Sequence, residues 1–173
     1  AWLDLDGDMR LMEEFVSFVV QAVLGRHERE LASVLERDVE RLRRVQPPFP
    51  LITYSEAVEV IQRAGHPMRW GDDIGGDEET VVAKQFDRPV MVHRYPADMK
   101  AFYFKKDPAD PKVALGCDVL APEGYGEIIG GGQREDDLSV LEAAIDKHGL
   151  PKEAFEWYLD VRRYGSVPHA GFG

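Results

Sequence analysis

GYGEIIGGGQRE, residues 124–135, places two β-branched residues, Ile128 and Ile129, between a carboxylate, Glu127, and three consecutive glycines, Gly130, Gly131 and Gly132. The isoleucines following a glycine-bounded turn read as a β-strand. Glycine inside a strand costs about 0.5–1 kcal/mol relative to alanine, so three in succession forfeit roughly 1.5–3 kcal/mol of a stability that is typically about 5–15 kcal/mol. Bare backbone suits a ligand lying flat across the sheet, where side chains would block it. The fragment G-Y-G-E-I-I-G is not a dinucleotide-binding fingerprint, because its third glycine comes one residue late and no helix opens there.

Working outward from this strand, three further strands are predicted upstream: PVMVHRY (89–95), AFYFKK (101–106) and KVALGCDVL (112–120). Short proline-bearing loops separate them, which favours antiparallel neighbours over βαβ crossovers. Downstream, helices are expected from Asp137 to His148 and from Pro151 to Arg163, with Pro151 suited to a first-turn position. In the N-terminal half, Leu11, Met12, Phe15, Val16, Val19, Val20, Val23 and Leu24 recur at helical spacing behind Asp6 or Asp8 as N-cap, predicting a well-buried helix. A second amphipathic helix is expected from Glu28 to Val45, with Leu31, Val34, Leu35, Val39 and Leu42 as its inner stripe. The prolines at 47, 48 and 50 end it; FPLIT (49–53) reads as a short strand, followed by a helix from Ser55 to Arg63. After a break at Gly65-His66-Pro67, the acidic loop WGDDIGGDEE (70–79), expected near a ligand edge or else as a solvated loop, leads into a short helix through Val81 to Lys84. The sum is an α+β domain, an antiparallel β-sheet flanked by helices.

The chain has 173 residues, 44% of them hydrophobic, enough for one domain with a sizeable core. No run of about 18 apolar residues is present to span a bilayer, and AWLDLDGDMR lacks the basic-then-apolar order of a signal peptide. A single cysteine, Cys117, allows no internal disulfide and no multi-cysteine zinc site, which fits a reducing cytosol and a cytoplasmic protein. The net charge of -11 has the wrong sign for a chain that holds nucleic acid mainly by its own surface.

Three side chains near the glycines carry the chemistry. Asp118 lies on one predicted strand and Glu127 starts the next, so a hairpin between them would bring both carboxylates to one cation. Such a pair suits Mg2+, which takes one or two carboxylates together with phosphate oxygens and water; the plainer alternative is a solvated hairpin end. Arg134, seven residues beyond Glu127, offers a planar fork for a carboxylate, carboxamide or phosphate, or else a surface salt bridge. Together they describe a nucleotide-plus-amino-acid site. Cys117 reads as a small core residue and Lys100 as a strand-edge side chain that could orient a neighbouring loop.

The blocks PVMVHRYPADMKAFYFKKDP, CDVLAPEGYGEIIGGGQRE and WYLDVRRYGSVPHAGFG, in this order and spacing, resemble the catalytic domain of class II asparaginyl-tRNA synthetases. The opening WLDLDGDMRLMEEFVSFVV resembles the segment after that family's second signature motif. The resemblance implies an incomplete class II synthetase-type sheet, without the anticodon-binding barrel or the first two signature motifs. The third motif begins at Gly171-Phe172-Gly173 and stops before its arginine, so the isolated chain is expected to be inactive.

Residue by residue, the resemblance makes Glu127 the ATP- and Mg2+-binding glutamate and Asp118 its acidic partner. Gly130, Gly131 and Gly132 become the floor under the aminoacyl group, and Arg134 the holder of the substrate side chain. Gly171 and Gly173 would lie beside ATP, while His93, Arg94 and Tyr95 fall where relatives carry a mobile loop over the substrate. The implied activity is ATP-dependent ligation of asparagine to tRNA(Asn) by a cytoplasmic homodimer. An aspartyl-tRNA synthetase or an asparagine-making paralogue on the same fold, and a non-catalytic dimerising chain, are the alternatives.

Overall fold

The computed structural model describes residues 2–173, so Ala1 lies outside the described residues. Helix α1 (Leu5–Ser33) begins where the Asp4 carboxylate accepts the Gly7 amide at 2.8 Å, an N-cap two or four positions earlier than expected. Asp6 stays in the first turn, whereas Asp8 points inward and is fully buried. α1 continues through a kink at His27, whose φ and ψ leave the helical region, so the segment expected to open a second helix completes the first. Glu36 then turns the chain with a φ of 51°, and only α2 (Val39–Arg43) follows. Val34 and Leu35 are exposed and α2 buries no residue. The stripe over 28–45 is divided between two short pieces: Leu31, Val39 and Leu42 are half-buried, and α2 folds back on α1, where Gln21 donates to the Leu42 and Val45 carbonyls.

β1 (Leu51–Thr53) leads into α3 (Tyr54–Arg63), capped by a reciprocal pair in which the Thr53 side chain accepts the Glu56 amide and Glu56 accepts the Thr53 amide. Next come α4 (Gly76–Ala83), β2 (Val90–His93), β3 (Gly116–Ala121), β4 (Gly126–Gln133), α5 (Leu138–Lys147), α6 (Lys152–Arg163) and β5 (Ala170–Phe172). The five strands form one sheet in the order β1-β2-β3-β4-β5. β1 and β2 run parallel, because α3 and α4 provide the crossover between them; β2–β3 and β3–β4 are antiparallel, as the loop spacing predicted, and β4–β5 is antiparallel too.

AFYFKK is not a strand. Its backbone divides its hydrogen bonds between two neighbours, Lys105 donating to the Gln133 carbonyl and accepting from the Leu115 amide, which leaves only isolated bridges. The unexpected strand is β5, whose AGF sequence shows no strand signal by itself but completes the edge beside Gly131 to Gln133.

Alternation along β3 sorts the two faces of the sheet. Leu115, Cys117 and Val119, with Met91 and Ile129, pack against Leu5, Met9, Met12 and Val16 of α1. On the opposite face Val90, Val92 and Leu120 meet Tyr54, Ala57, Val58, Ile61 and Val82 of α3 and α4. α1 is thus buried on one stripe only: Leu11, Phe15, Val19 and Val23 are exposed, against the expectation of a well-buried helix. A third cluster joins α5 and α6 through Leu141, Ile145 and Leu159, with Phe102 and Tyr158 against it. Among the described residues no helix is long and apolar enough to cross a membrane.

Candidate functional site

The site begins with an irregularity between β3 and β4. Val119 pairs with Ile129, but Leu120 pairs with Glu127, so Ile128 is an extra residue in the ladder. In a regular strand Glu127 and Gly130, three residues apart, would face opposite sides; the bulge turns Glu127 onto the face of Gly130 and its partner Asp118. Two carboxylates consequently converge: a Cβ built at Gly130 would stand 2.6 Å from Glu127 Oε1 and 3.4 Å from Asp118 Oδ1.

Asp118 is almost completely buried and accepts a hydrogen bond from Lys100 Nζ at 2.6 Å. The same ammonium lies 3.9 Å from the centre of the Tyr95 ring. Tyr95 is itself buried, and burial, then the charge and hydrogen bond of Asp118, hold its phenol well above the usual tyrosine range. Burial, followed by the charge of Asp118, raises the Glu127 carboxyl above its ordinary value, with Lys100 opposing. Asp73 and Glu79 complete the rim of this cleft, and Glu79 accepts the Glu127 amide at 3.0 Å.

Among the described residues no group of three or more His, Cys, Asp or Glu side chains is arranged to hold a metal ion. Two converging carboxylates nevertheless fit the partial protein ligation that Mg2+ accepts when phosphate and water supply the rest.

The three glycines prove to have three different surroundings. Gly130 faces the acid pair. A side chain on Gly131 would meet Phe172 Cβ at 2.5 Å, Met12 Cε at 2.6 Å and the Gly171 carbonyl at 2.8 Å, so its bareness serves the packing of α1 and β5 on β4. Gly132 adopts a φ of 148°, and a Cβ there would run into the Leu115 carbonyl and Gly116 Cα of β3. Close strand packing at Gly131 and Gly132 therefore supplies a reason for bare backbone independent of any ligand.

Arg134 lies beyond this floor. Its guanidinium sits 4.9 Å from the ring centres of both Tyr103 and Phe104, and Nη2 donates to the Gly171 carbonyl at 3.2 Å. Nη1 is buried with no hydrogen-bond partner among the described residues. Arg134 does not share a cleft with the acid pair; it lines one with Phe102, Tyr103, Phe155, Trp157 and Tyr158. Gly116 links the two regions, since a Cβ there would touch both Lys100 Cε at 3.4 Å and Phe104 Cε1 at 3.6 Å.

Gly173 exchanges two backbone hydrogen bonds of 3.0 Å with Gly130, which places the end of the chain beside the acid pair. Gly171 pairs with Gly132 and accepts from Arg134. Behind this strand Arg162 is buried, donating to the Glu135 carbonyl at 3.0 Å and to the Tyr158 hydroxyl at 2.9 Å, with His169 Nε2 at 3.2 Å.

His93 and Tyr95 do not form an exposed covering loop. His93 ends β2, buried between Thr53 and Cys117, and burial and the neighbouring Arg94 lower its pKa. Arg94 takes a φ of 59° and is held by Asp107 at 2.7 Å. Cys117 is the expected core residue, its thiol pushed far up by burial. The sequence reading missed the Lys100–Asp118 ion pair and the buried Asp8, whereas Asp73 and Glu79 belong to the acidic segment 70–79 that the sequence places near a ligand edge. The one available signal was the lysine that stands in an otherwise apolar run, MKAF, ahead of the strand carrying Asp118.

The family pattern described as tRNA synthetases class II (D, K and N) matches residues 1–173, and the chain belongs to that family. It is 57% identical over 185 aligned residues to an asparagine–tRNA ligase of Sorangium cellulosum, covering all of this chain and 41% of that protein. It is 51% identical to the crystal structure of asparaginyl-tRNA synthetase from Pyrococcus horikoshii complexed with asparaginyl-adenylate, with a TM-score of 0.95 over 99% of this chain and 39% of that one. An aspartyl-tRNA synthetase from Entamoeba histolytica shares the fold, at 24% identity and a TM-score of 0.82 over 99% of this chain and 36% of that one. The chain thus spans about 40% of the length of the relatives it matches.

Proposed function

We propose that this chain forms part of the catalytic domain of an asparagine–tRNA ligase, the part that holds ATP, Mg2+ and the amino-acid side chain. The observation that carries the reading is the bulge that turns Glu127 toward Asp118 over Gly130. Identities of 57% and 54% to asparagine–tRNA ligases, each over the whole of this chain, favour asparagine over aspartate.

In this reaction the asparagine α-carboxylate attacks the α-phosphorus of ATP, forming asparaginyl-adenylate and releasing pyrophosphate. The terminal ribose hydroxyl of tRNA(Asn) then takes the asparaginyl group and AMP leaves. Mg2+ offsets phosphate charge when bound, and Asp118 and Glu127 are the residues that would hold it. Catalysis by this chain's own groups is chiefly positioning and electrostatics. Gly130 leaves room for the nucleotide above the carboxylates, and the strand carrying Gly171 and Gly173 borders it. Gly131 and Gly132 contribute backbone to the floor on which the aminoacyl group rests, and Tyr95 closes one wall. Arg134 presents its guanidinium to the side-chain oxygen of asparagine. The assembled enzyme works as a cytoplasmic homodimer.

The test is amino-acid-dependent ATP–pyrophosphate exchange by the full-length protein, with Arg134→Ala and Glu127→Ala alongside. Exchange with asparagine, lost in both variants, is expected. Exchange with aspartate alone moves the chain to the aspartyl branch, and none with either amino acid favours a non-catalytic role.

A further inference from the structure

Lys100 is the cation that lines the acid cleft, where Asp73, Glu79, Asp118 and Glu127 also face it. Its ammonium takes Asp118 Oδ2 at 2.6 Å, while Asp118 Oδ1 is the oxygen nearer Gly130, the point on which Glu127 converges. Lys100 is therefore bonded to one of the two carboxylates that the preceding reading assigns to Mg2+. A divalent cation shared by Asp118 and Glu127 would sit within a few ångströms of that ammonium. In a site this sheltered, with the Lys100 side chain 19% and the Asp118 side chain 8% exposed, water screens like charges poorly and they repel.

The lysine can yield. It is carried by the turn-rich segment 96–101, between the isolated bridge at Pro96 and the Phe104 region, and its four-carbon stem lies across the bare surface of Gly116. An ammonium is a point charge with rotatable donors and loses little when it changes acceptor. Tyr95, whose ring lies under the ammonium in the same cleft, stays beside that carboxylate.

Building on the Mg2+ assignment above, we propose that Lys100 holds Asp118 in the nucleotide-free protein and exchanges it for a phosphate oxygen when Mg-ATP arrives. Lys100 then has two effects of opposite sign: it competes with a free divalent cation for Asp118, and it strengthens binding of the cation–nucleotide complex. A purely structural ion pair would have neither.

The test is equilibrium binding of Mn2+ alone to the full-length protein, followed by electron paramagnetic resonance of free Mn2+, and calorimetric binding of Mn-ATP. Lys100→Met removes the competing charge and is expected to bind Mn2+ about tenfold more tightly, the change that 1.4 kcal/mol produces, while Mn-ATP binds more weakly. Lys100→Gln, which still hydrogen-bonds Asp118 without a charge, gives the same pair of shifts should methionine disturb the fold. Lys100→Arg keeps a cation there and leaves Mn2+ affinity within about twofold of the parent. Asp118→Asn and Glu127→Gln both lose Mn2+ binding. If those two variants lose it but Lys100→Met and Lys100→Gln bind Mn2+ as the parent does, the exchange is overturned and the metal assignment stands. If Asp118→Asn and Glu127→Gln bind Mn2+ unchanged, the metal assignment fails, and the exchange with it.

Discussion

A side chain at Gly131 would begin 2.5 Å from the Cβ of Phe172. Met12 Cε and the Gly171 carbonyl close the same space from α1 and β5, and two of these three atoms belong to backbone or to a Cβ that cannot swing away. Gly131→Ala should therefore cost about 1–3 kcal/mol or more through overpacking. Gly130→Ala meets first the end of a flexible side chain, Glu127 Oε1 at 2.6 Å, so the fold should survive while the acid pair is pushed apart. Chemical unfolding, with Mn2+ or ATP binding measured beside it, separates the two: loss of stability at 131, loss of ligand at 130. Equal stability losses at both positions would contradict this division.

These neighbours also show where sequence reading stops. Three glycines after a β-branched pair announce that side chains are excluded, but which partner excludes each one depends on register. A bulge at Ile128 and an unforeseen strand at Ala170–Phe172 set that register, and neither leaves a local mark. Strands β2, β3 and β4, helices α5 and α6, and the acids Asp118 and Glu127 were legible because hydrophobic alternation and turn residues are local signals. The extension of α1 past His27 and the loss of a helix over 34–38 were not, since an amphipathic stripe says nothing about whether one helix or two short pieces will carry it. Lys100 looked like an edge residue because its partner, Asp118, is 18 positions away.

Asp8 carries its own prediction. It is fully buried, neither oxygen has a hydrogen-bond partner among the described residues, and desolvation raises its pKa against the opposing charge of Arg134. A carboxyl with a raised folded-state pKa stabilises the fold below its ordinary pKa, and that contribution disappears as pH rises through the folded value. Asp8→Asn should therefore raise the thermal midpoint at pH 7, with the gain shrinking as pH falls toward the ordinary aspartate value of 3.8. A lower midpoint for Asp8→Asn across that whole range would show that the ionised carboxylate is the stabilising form.

Arg162 should act on the nucleotide end of the site without touching it. Its guanidinium joins the Glu135 carbonyl, the Tyr158 hydroxyl and His169, directly ahead of the strand bearing Gly171. Arg162→Met keeps much of the volume but leaves those groups without their donor, at a cost of about 1.5–3 kcal/mol for each charged hydrogen bond lost from a buried position. The KM for ATP should rise more than the KM for asparagine in pyrophosphate exchange by the full-length protein. An equal rise in both would mean that Arg162 supports the whole domain and not this strand in particular.

Glu127 ties stability to function with a definite sign. Burial and the neighbouring Asp118 raise its pKa above the ordinary glutamate value of 4.5, so ionising it in the folded protein is unfavourable. Its contribution to stability is fully present below 4.5 and is lost as pH climbs through the raised folded value, a small cost because Glu127 is solvent-exposed and water screens its charge. Glu127→Gln should remove that cost and raise the thermal midpoint at pH 7 slightly without divalent cation, the difference closing at acidic pH. Adding Mg2+ with ATP should stabilise the parent and not the variant, because ligand binding to the folded state alone raises apparent stability. The order of the two midpoints should then narrow or invert. Parallel midpoints in all four conditions would show that Glu127 neither strains the fold nor holds the ligand.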